Sequence, residues 1–284
     1  MLDRNKELKS VHYGESGISC RYAMRPRWME PAFLPHWHER MELILVEKGK
    51  IEFYLDQVPT SLCSGCLGVI PPQVLHGGIC REEGTVFHVL MFEVERFQNG
   101  TGASEKWLSP LADNKLRFPA VVDDPETVAL ARRLVEMMTH PETSSLEAVG
   151  QLYILLGALC RASVPGSRIP AAKKESMRDV LDYIEKHFAE PLTVREISHL
   201  FSYNETHFCR RFKKTTGLTL MEYIRILRLE QAETLLKTEQ AEIREIAWRC
   251  GFHDESYFSR AFKEFNGKSP REFRKANREN TNGK

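Results

Sequence analysis

The strongest constraint on this chain is an internal repeat. Asn204–Gly217 matches Asp254–Gly267 at a constant offset of 50. Asn204 meets Asp254, Phe208 meets Phe258 and Arg210 meets Arg260. Phe212-Lys213 and Gly217 meet Phe262-Lys263 and Gly267. Upstream the match continues at an offset of 49, with Glu196-Ile197-Ser198 against Glu245-Ile246-Ala247. Self-similarity at a fixed period marks a duplicated supersecondary unit. The one-residue slip falls in a short turn, where a change of length is cheap.

Each copy has the parts of two short helices and a tight turn. In the first, Thr193 and Glu196 form a capping box, and Val194, Ile197 and Leu200 are expected to make the buried stripe. Phe201-Ser202-Tyr203 turns the chain, and Asn204 caps a second helix whose Phe208 and Phe212 pack inward. Thr206, His207, Arg210 and Lys213 are left for the outer surface. In the second copy Ile243, Ile246 and Ala247 pack, Gly251 permits the turn, Asp254 caps, and Phe258 and Phe262 point in. Ser256, Ser259, Arg260 and Lys263 point out. One such helix is ordinarily a solvated amphipathic surface helix. Two with the same caps, Phe pair and Arg suit the DNA major groove, where Arg bonds guanine bidentately and Ser or Thr bonds base edges or phosphates. Between the copies, Leu220–Lys237 reads as a helix about 27 Å long at 1.5 Å per residue. That is somewhat short of the roughly 34 Å turn of DNA. Helix and flanking units together are expected to set both outward helices into successive major grooves on one DNA face.

The stretch Ile243-x-x-Ile246-Ala247-x-x-Cys250-Gly251-Phe252-x-Asp254-x-x-Tyr257-Phe258-Ser259-Arg260-x-Phe262-Lys263, followed by Gly267-x-Ser269-Pro270-x-x-Phe273-Arg274, resembles the hallmark of AraC/XylS-type transcription regulators. The resemblance covers residues 175–278. It implies a seven-helix domain with two helix-turn-helix units, whose third and sixth helices touch DNA. Those positions are Thr206, Cys209 and Arg210, then Glu255, Ser256, Ser259 and Arg260. Cys209 and Glu255 depart from the usual residue types, and Glu255 would repel phosphate.

The remainder reads differently. Met41–Val46, Ile51–Leu55 and Val86–Phe92 are β-prone runs, punctuated by Gly49, Gly65, Gly68, Pro71-Pro72 and Gly77-Gly78, which suggests an all-β sandwich or barrel. Helical spacing follows at Pro125–Met138 and in the very apolar Leu146–Cys160. The second helix either packs on its own β domain or adds a dimer contact. Ser163–Ala171 is a linker by composition. The expected organisation is a two-domain α+β chain. Residues 1–163 form a cupin-like effector-binding and dimerisation domain with two helices after its barrel. Residues 164–174 are the linker, 175–278 the DNA-binding domain and 279–284 a polar tail.

Charge agrees with that division. Residues 171–284 carry 22 basic against 18 acidic side chains, and the rest 18 against 21. No apolar run reaches the roughly 18 residues of a membrane span, and Met1–Glu7 is too polar for a signal peptide. Seven scattered cysteines fit a reduced intracellular chain better than a disulfide framework. A cytoplasmic location is expected. Cys63-x-x-Cys66 has no matching second pair and reads as two cysteines in a turn.

His36-x-His38-x-x-x-Glu42, then Gly49, Gly65, Pro71 and His76, resembles the two motifs of the cupin barrel. Glu30 stands where the first motif opens on Gly, Gln73 replaces a Gly of the second, and Cys80 replaces an Asn. The resemblance implies an effector pocket containing Trp28, His36, Trp37, His38, Glu42 and His76. Three imidazoles and a carboxylate also suit a divalent metal, so His36, His38, Glu42 and His76 are candidate metal ligands; the bland alternative is that they hydrogen-bond each other. The leading function is a ligand-responsive, sequence-specific DNA-binding regulator. It would activate catabolic genes in response to a sugar or sugar derivative, with double-stranded DNA, the effector, a second copy and RNA polymerase as partners. The alternative is a metal-dependent cupin enzyme fused to a DNA-binding module.

Overall fold

The computed structural model describes residues 15–25, 31–55, 58–140, 142–166 and 177–282. Two compact units make up the chain, one holding the strands and the helices that follow them, the other the remaining helices. In the first unit β1 (Ile18–Arg25), β2 (Pro31–His36), β3 (Met41–Lys48), β4 (Lys50–Leu55), β5 (Val58–Cys63), β6 (Leu67–Ile70), β7 (His76–Cys80), β8 (Thr85–Phe92) and β10 (Val121–Val122) build two facing sheets, and the short β9 (Leu116–Arg117) belongs to neither. One is ordered β1-β8-β3-β6-β10 and the other β2-β7-β4-β5, while β9 pairs with a short β11 (Val164–Pro165).

Strand β3 explains the layering. All of Met41–Val46 is buried, as a central strand covered on both faces requires. Met41, Leu43 and Leu45 join one apolar cluster, and Ile44 and Val46 join another with Ile51, Phe53, Leu55 and Phe87. Successive side chains alternate faces, so Glu42 shares the barrel-interior face with Ile44 and Val46. The outer cluster is completed by Leu108 and Leu111 of α1 (Gly102–Ala112), Leu134 of α2 (Pro125–Thr139), and Leu152, Leu155 and Leu159 of α3 (Ser145–Ala162). Two helices, α2 and α3, follow the last barrel strand among the described residues, as expected, and α1 lies between β8 and β9. Helix α1 is additional, and its sequence hides it, with Gly102 at the start and Pro110 inside.

Among the described residues seven helices form the second unit: α4 (Met177–His187), α5 (Val194–Leu200), α6 (Glu205–Thr216), α7 (Leu220–Thr238), α8 (Ile243–Arg249), α9 (Glu255–Asn266) and α10 (Pro270–Asn282). Helix α7 serves both repeats. Tyr223, in its first half, meets Phe212 of α6 edge-on at 5.6 Å. Leu229, Ala232, Leu235 and Leu236, in its second half, share a core with Ile246, Phe258 and Phe262. One expectation fails. Leu200 is 53% exposed, and the buried residues of α5 are Ile197 and Ser198. The helix is a single seven-residue element, and the small Ser198, matched by Ala247 in the other copy, lets the following turn close over it.

Candidate nucleic-acid interface and effector site

The two repeats make the same turn. After α5, Tyr203 N–H donates to the Ser198 carbonyl and Ser202 N–H to that of His199, at 2.7 and 3.1 Å. After α8, Phe252 donates to Ala247 and Gly251 to Trp248, both at 2.9 Å. These are paired Schellman closures, which place one residue in the left-handed region, and Ser202 and Gly251 have φ of 55° and 83°. The offset is still 49 here, so the extra residue of the second copy is His253. Asn204 Oδ1 then accepts from the N–H groups of Thr206 and His207, and Asp254 Oδ1 from that of Tyr257 at 2.6 Å. Each cap starts a helix whose Phe pair, Phe208 with Phe212 and Phe258 with Phe262, is fully buried. Thr206, His207, Arg210 and Lys213 are exposed on α6; Ser256, Arg260 and Lys263 are exposed on α9, and Ser259 is half-buried. Positions i, i+4 and i+7 of one helix share a face, so Thr206, Arg210 and Lys213 form one outward stripe and Ser256, Arg260 and Lys263 its counterpart.

At the barrel, β2, β3 and β7 and the turn between β2 and β3 bring four polar side chains together. His36 faces His76 across the β2–β7 pair, and Gly77 makes that approach possible, because a Cβ there would lie 2.9 Å from the Pro35 ring. The donor atoms of His36, His38, Glu42 and His76 lie within 4.8 Å of one another. His38, Glu42 and His76 are buried and His36 is half-buried. The Nδ1 atoms of His36, His38 and His76 sit 2.7, 3.1 and 2.7 Å from the carbonyl oxygens of Leu34, Arg40 and Val74. A carbonyl can only accept, so each Nδ1 carries a proton and donates it. A neutral ring then presents a bare Nε2 lone pair to the centre. Yet His38 Nε2 and His76 Nε2 lie 3.0 and 3.4 Å from Glu42 Oε2. A lone pair opposite a carboxylate oxygen is repulsive unless a proton or another cation stands between them. Burial pushes the Glu42 carboxyl up, but the neighbouring His38 and His76 outweigh it and hold it well below the usual range. Burial, then the neighbouring His76 and His38, hold the His36 imidazole well below its ordinary value. The donor set of the cluster fits a divalent metal, with its imidazoles oriented by backbone carbonyls as metal-ligating histidines are.

Comparison with known proteins joins the two units. Residues 21–156 match the AraC-like ligand binding domain, and residues 197–276 match a helix-turn-helix domain. The HTH-type transcriptional activator RhaS of Escherichia coli O1:K1 / APEC is 28% identical over 275 residues, covering 94% of this chain and 96% of RhaS. This chain is an AraC-type regulator. RhaS of Salmonella arizonae is 29% identical over 276 residues, with the same two coverages. The solved DNA-binding domain of AdpA, the global transcriptional factor, in complex with a target DNA is 28% identical over 36% of this chain and 92% of its own, with a TM-score of 0.35. The AraC-type regulator is a ligand-responsive DNA-binding protein and not an enzyme. It binds DNA and a small-molecule effector. Among its described residues no helix is long and apolar enough to cross a membrane.

The structure brings His36, His38, Glu42 and His76 together, with Trp37 half-buried near them in sequence, while Trp28 lies outside the described residues. Phe33, which clusters with Trp28 and Trp37 in the sequence, has its ring centroid 5.9 Å from that of His76 and 6.2 Å from that of His36. Sequence reasoning missed the carbonyls that orient the imidazoles. Each belongs to a residue two positions from its histidine, a spacing with no side-chain signature. On α9 it passed over Tyr257, which is exposed and lies under the Arg260 guanidinium at 5.9 Å.

Proposed function

We propose that this AraC-type regulator is a cytoplasmic transcriptional activator of catabolic genes. It reads its operator with Thr206, His207, Arg210 and Lys213 of α6 and with Ser256, Ser259, Arg260 and Lys263 of α9. The observation that carries the reading is the duplicated outward stripe on two helices anchored by identical buried Phe pairs. The description of RhaS as an activator supports the sign of regulation. Residues 164–174 link a sensor of residues 1–163 to a DNA-binding domain of residues 175–278, leaving 279–284 as a tail. A second copy meets the exposed Leu146 and Ile154 of α3, and RNA polymerase is the further partner. Arg210→Ala and Arg260→Ala are each expected to weaken specific operator binding by about 1–3 kcal/mol, measured by titration of a footprinted operator at fixed salt. Variants that keep their fold and full affinity would remove the assignment.

The effector is proposed to be a sugar or sugar derivative, held at Trp28, His36, Trp37, His38, Glu42 and His76. Imidazole and carboxylate groups suit hydroxyls, and aromatic faces suit a sugar ring. A second reading rests on the three tied Nδ1 atoms. They leave three Nε2 lone pairs and Glu42 for a divalent metal held by His36, His38, Glu42 and His76. In a sensor the metal would supply a Lewis-acid point to which effector oxygens bind. Thermal-shift screening of the whole protein against sugars, with and without chelator, tests both readings. Stabilisation that survives chelation supports the direct site, and substoichiometric metal in protein purified without chelators removes the metal.

A further inference from the structure

Outside the barrel, between α1 and α3, lies a cavity of about 330 Å³ that the DNA-binding function does not use. That is within the usual size of small-molecule pockets, about 300–1,000 Å³. Leu108 and Leu156 are buried in it, and Trp107 and Tyr153 stand half-open at its walls. None of its lining residues is acidic. Arg161 stands at its rim, exposed, with no hydrogen-bond or ion-pair partner among the described residues. The Lys106 ammonium, 5.3 Å from the Trp107 ring centroid, adds a second positive charge. Gly157 keeps the cavity open. A Cβ on this α3 residue would meet only the Arg161 guanidinium, at 3.9 Å, so no packing contact demands a glycine.

We propose that this cavity is a second small-molecule site, for a compact carboxylic acid with a flat apolar body. The flat body lies between Trp107 and Tyr153, where aromatic faces contribute beyond plain area burial. The carboxylate reaches the Arg161 guanidinium, whose planar fork bonds it at two points. The site lies on the outer side of the five-stranded sheet, and neither it nor its test depends on what the barrel cluster holds.

Calorimetric titration of the full-length protein tests the site, with 2-naphthoate as probe and 2-naphthylmethanol as its neutral counterpart. The acid should bind at one per chain, at least tenfold more tightly than the alcohol. Arg161→Gln should remove that preference and leave alcohol binding in place. Gly157→Leu should abolish both while keeping the unfolding midpoint, since Leu is a better helix former than Gly and points into empty space. Equal affinities for acid and alcohol in the wild type would overturn the proposal. So would naphthoate binding that survives Gly157→Leu, because the probe then sits elsewhere. A wild-type dimer that becomes monomeric in Gly157→Leu, with no naphthoate binding in either, would give the cavity to a second copy and equally overturn it.

Discussion

Ser202 and Gly251 occupy one position in the two copies of the turn, and both are left-handed, but only one is glycine. A left-handed L-residue costs roughly 1–2 kcal/mol. Ser202→Gly should therefore stabilise the helical unit by about 1 kcal/mol, part of the relief being returned as chain entropy. The reverse change is far worse. A Cβ at Gly251 would lie 2.6 Å from the Ala189 carbonyl oxygen and 2.9 Å from Arg228 Nε. That arginine donates to the carbonyls of Phe188 and Glu190, so it cannot move aside freely. Gly251→Ala should cost more than about 2 kcal/mol. Urea unfolding with unchanged m-values would show the opposite signs, and a destabilised Ser202→Gly would refute the account. Gln73, at φ 61° where the cupin motif has Gly, shows the same substitution tolerated in the barrel, its amide bonded to Glu39 at 2.7 Å. The buried imidazoles make a second residue-level prediction. Because the His36 imidazole is held below its ordinary range, the folded state keeps it neutral while the unfolded chain takes up a proton. The depressed value gives stability that is complete above the unfolded pKa of about 6.5 and is lost as pH falls. In chelated protein the barrel should lose up to about 1.4 kcal/mol per pH unit below that point. His36→Gln should flatten the slope, measured by thermal unfolding between pH 7 and 5.

Elements were legible wherever one physical signal dominated. Helix α7 is long and needed by both cores, so its periodicity is unambiguous, and the repeat exposed α5, α6 and α9 through their caps and Phe pairs and α8 through its match to α5. Signals that compete within one element were not legible. Helix α1 carries Gly102 and Pro110, and β2 and β7 carry Pro31, Pro35, Gly77 and Gly78, so neither period shows. The glycines of β7 answer to close neighbours brought in from β2 and β4, which local sequence does not reveal. Leu200 misled because an i, i+3 stripe was assumed for a helix that ends at that residue. The barrel site was legible as a spacing of His and Glu; its preorganisation, made by backbone carbonyls, was not. The repeat also exposes a missing part. Capping boxes form at Thr193–Glu196, Thr219–Glu222 and Ser269–Glu272, but α8 starts at Glu242 with no side-chain cap. Glu242→Thr would complete a box with Glu245, and a good N-cap contributes about 1 kcal/mol. A gain of that order in unfolding free energy is expected, against the weak Glu245–Arg249 contact at 4.0 Å, and no gain would mean that Glu245 is not free to turn back.

At the scale of the molecule, the two outward helices differ in charge but pack on the two halves of one helix, α7. Helix α6 carries Arg210, Arg211, Lys213 and Lys214 against Glu205, whereas α9 balances Arg260 and Lys263 with Glu255 and Glu264. Sequence-independent attraction to phosphate scales with cationic contacts, so α6 is expected to anchor, and α9, with Ser256, Ser259 and Arg260, to discriminate. Lys213→Ala should lower the salt slope of binding by about 1, whereas Ser256→Ala should leave it unchanged and relax sequence preference. Both helices rest on α7 through buried aromatic pairs, so neither can shift along DNA without tearing its packing on that helix. At 1.5 Å per residue the 19 residues of α7 span about 28 Å, and with the bodies on either side this suits two major grooves roughly 34 Å apart. Inserting five base pairs between the half-sites turns the second groove to the far side. Inserting ten restores the face but doubles the distance. A pair of helices fixed to the two halves of α7 can follow neither change, so both operators should bind only as tightly as a single half-site. Recovery at ten base pairs, read by footprinting a single-chain complex, would mean that the two grooves are read by separable parts and that α7 is no ruler.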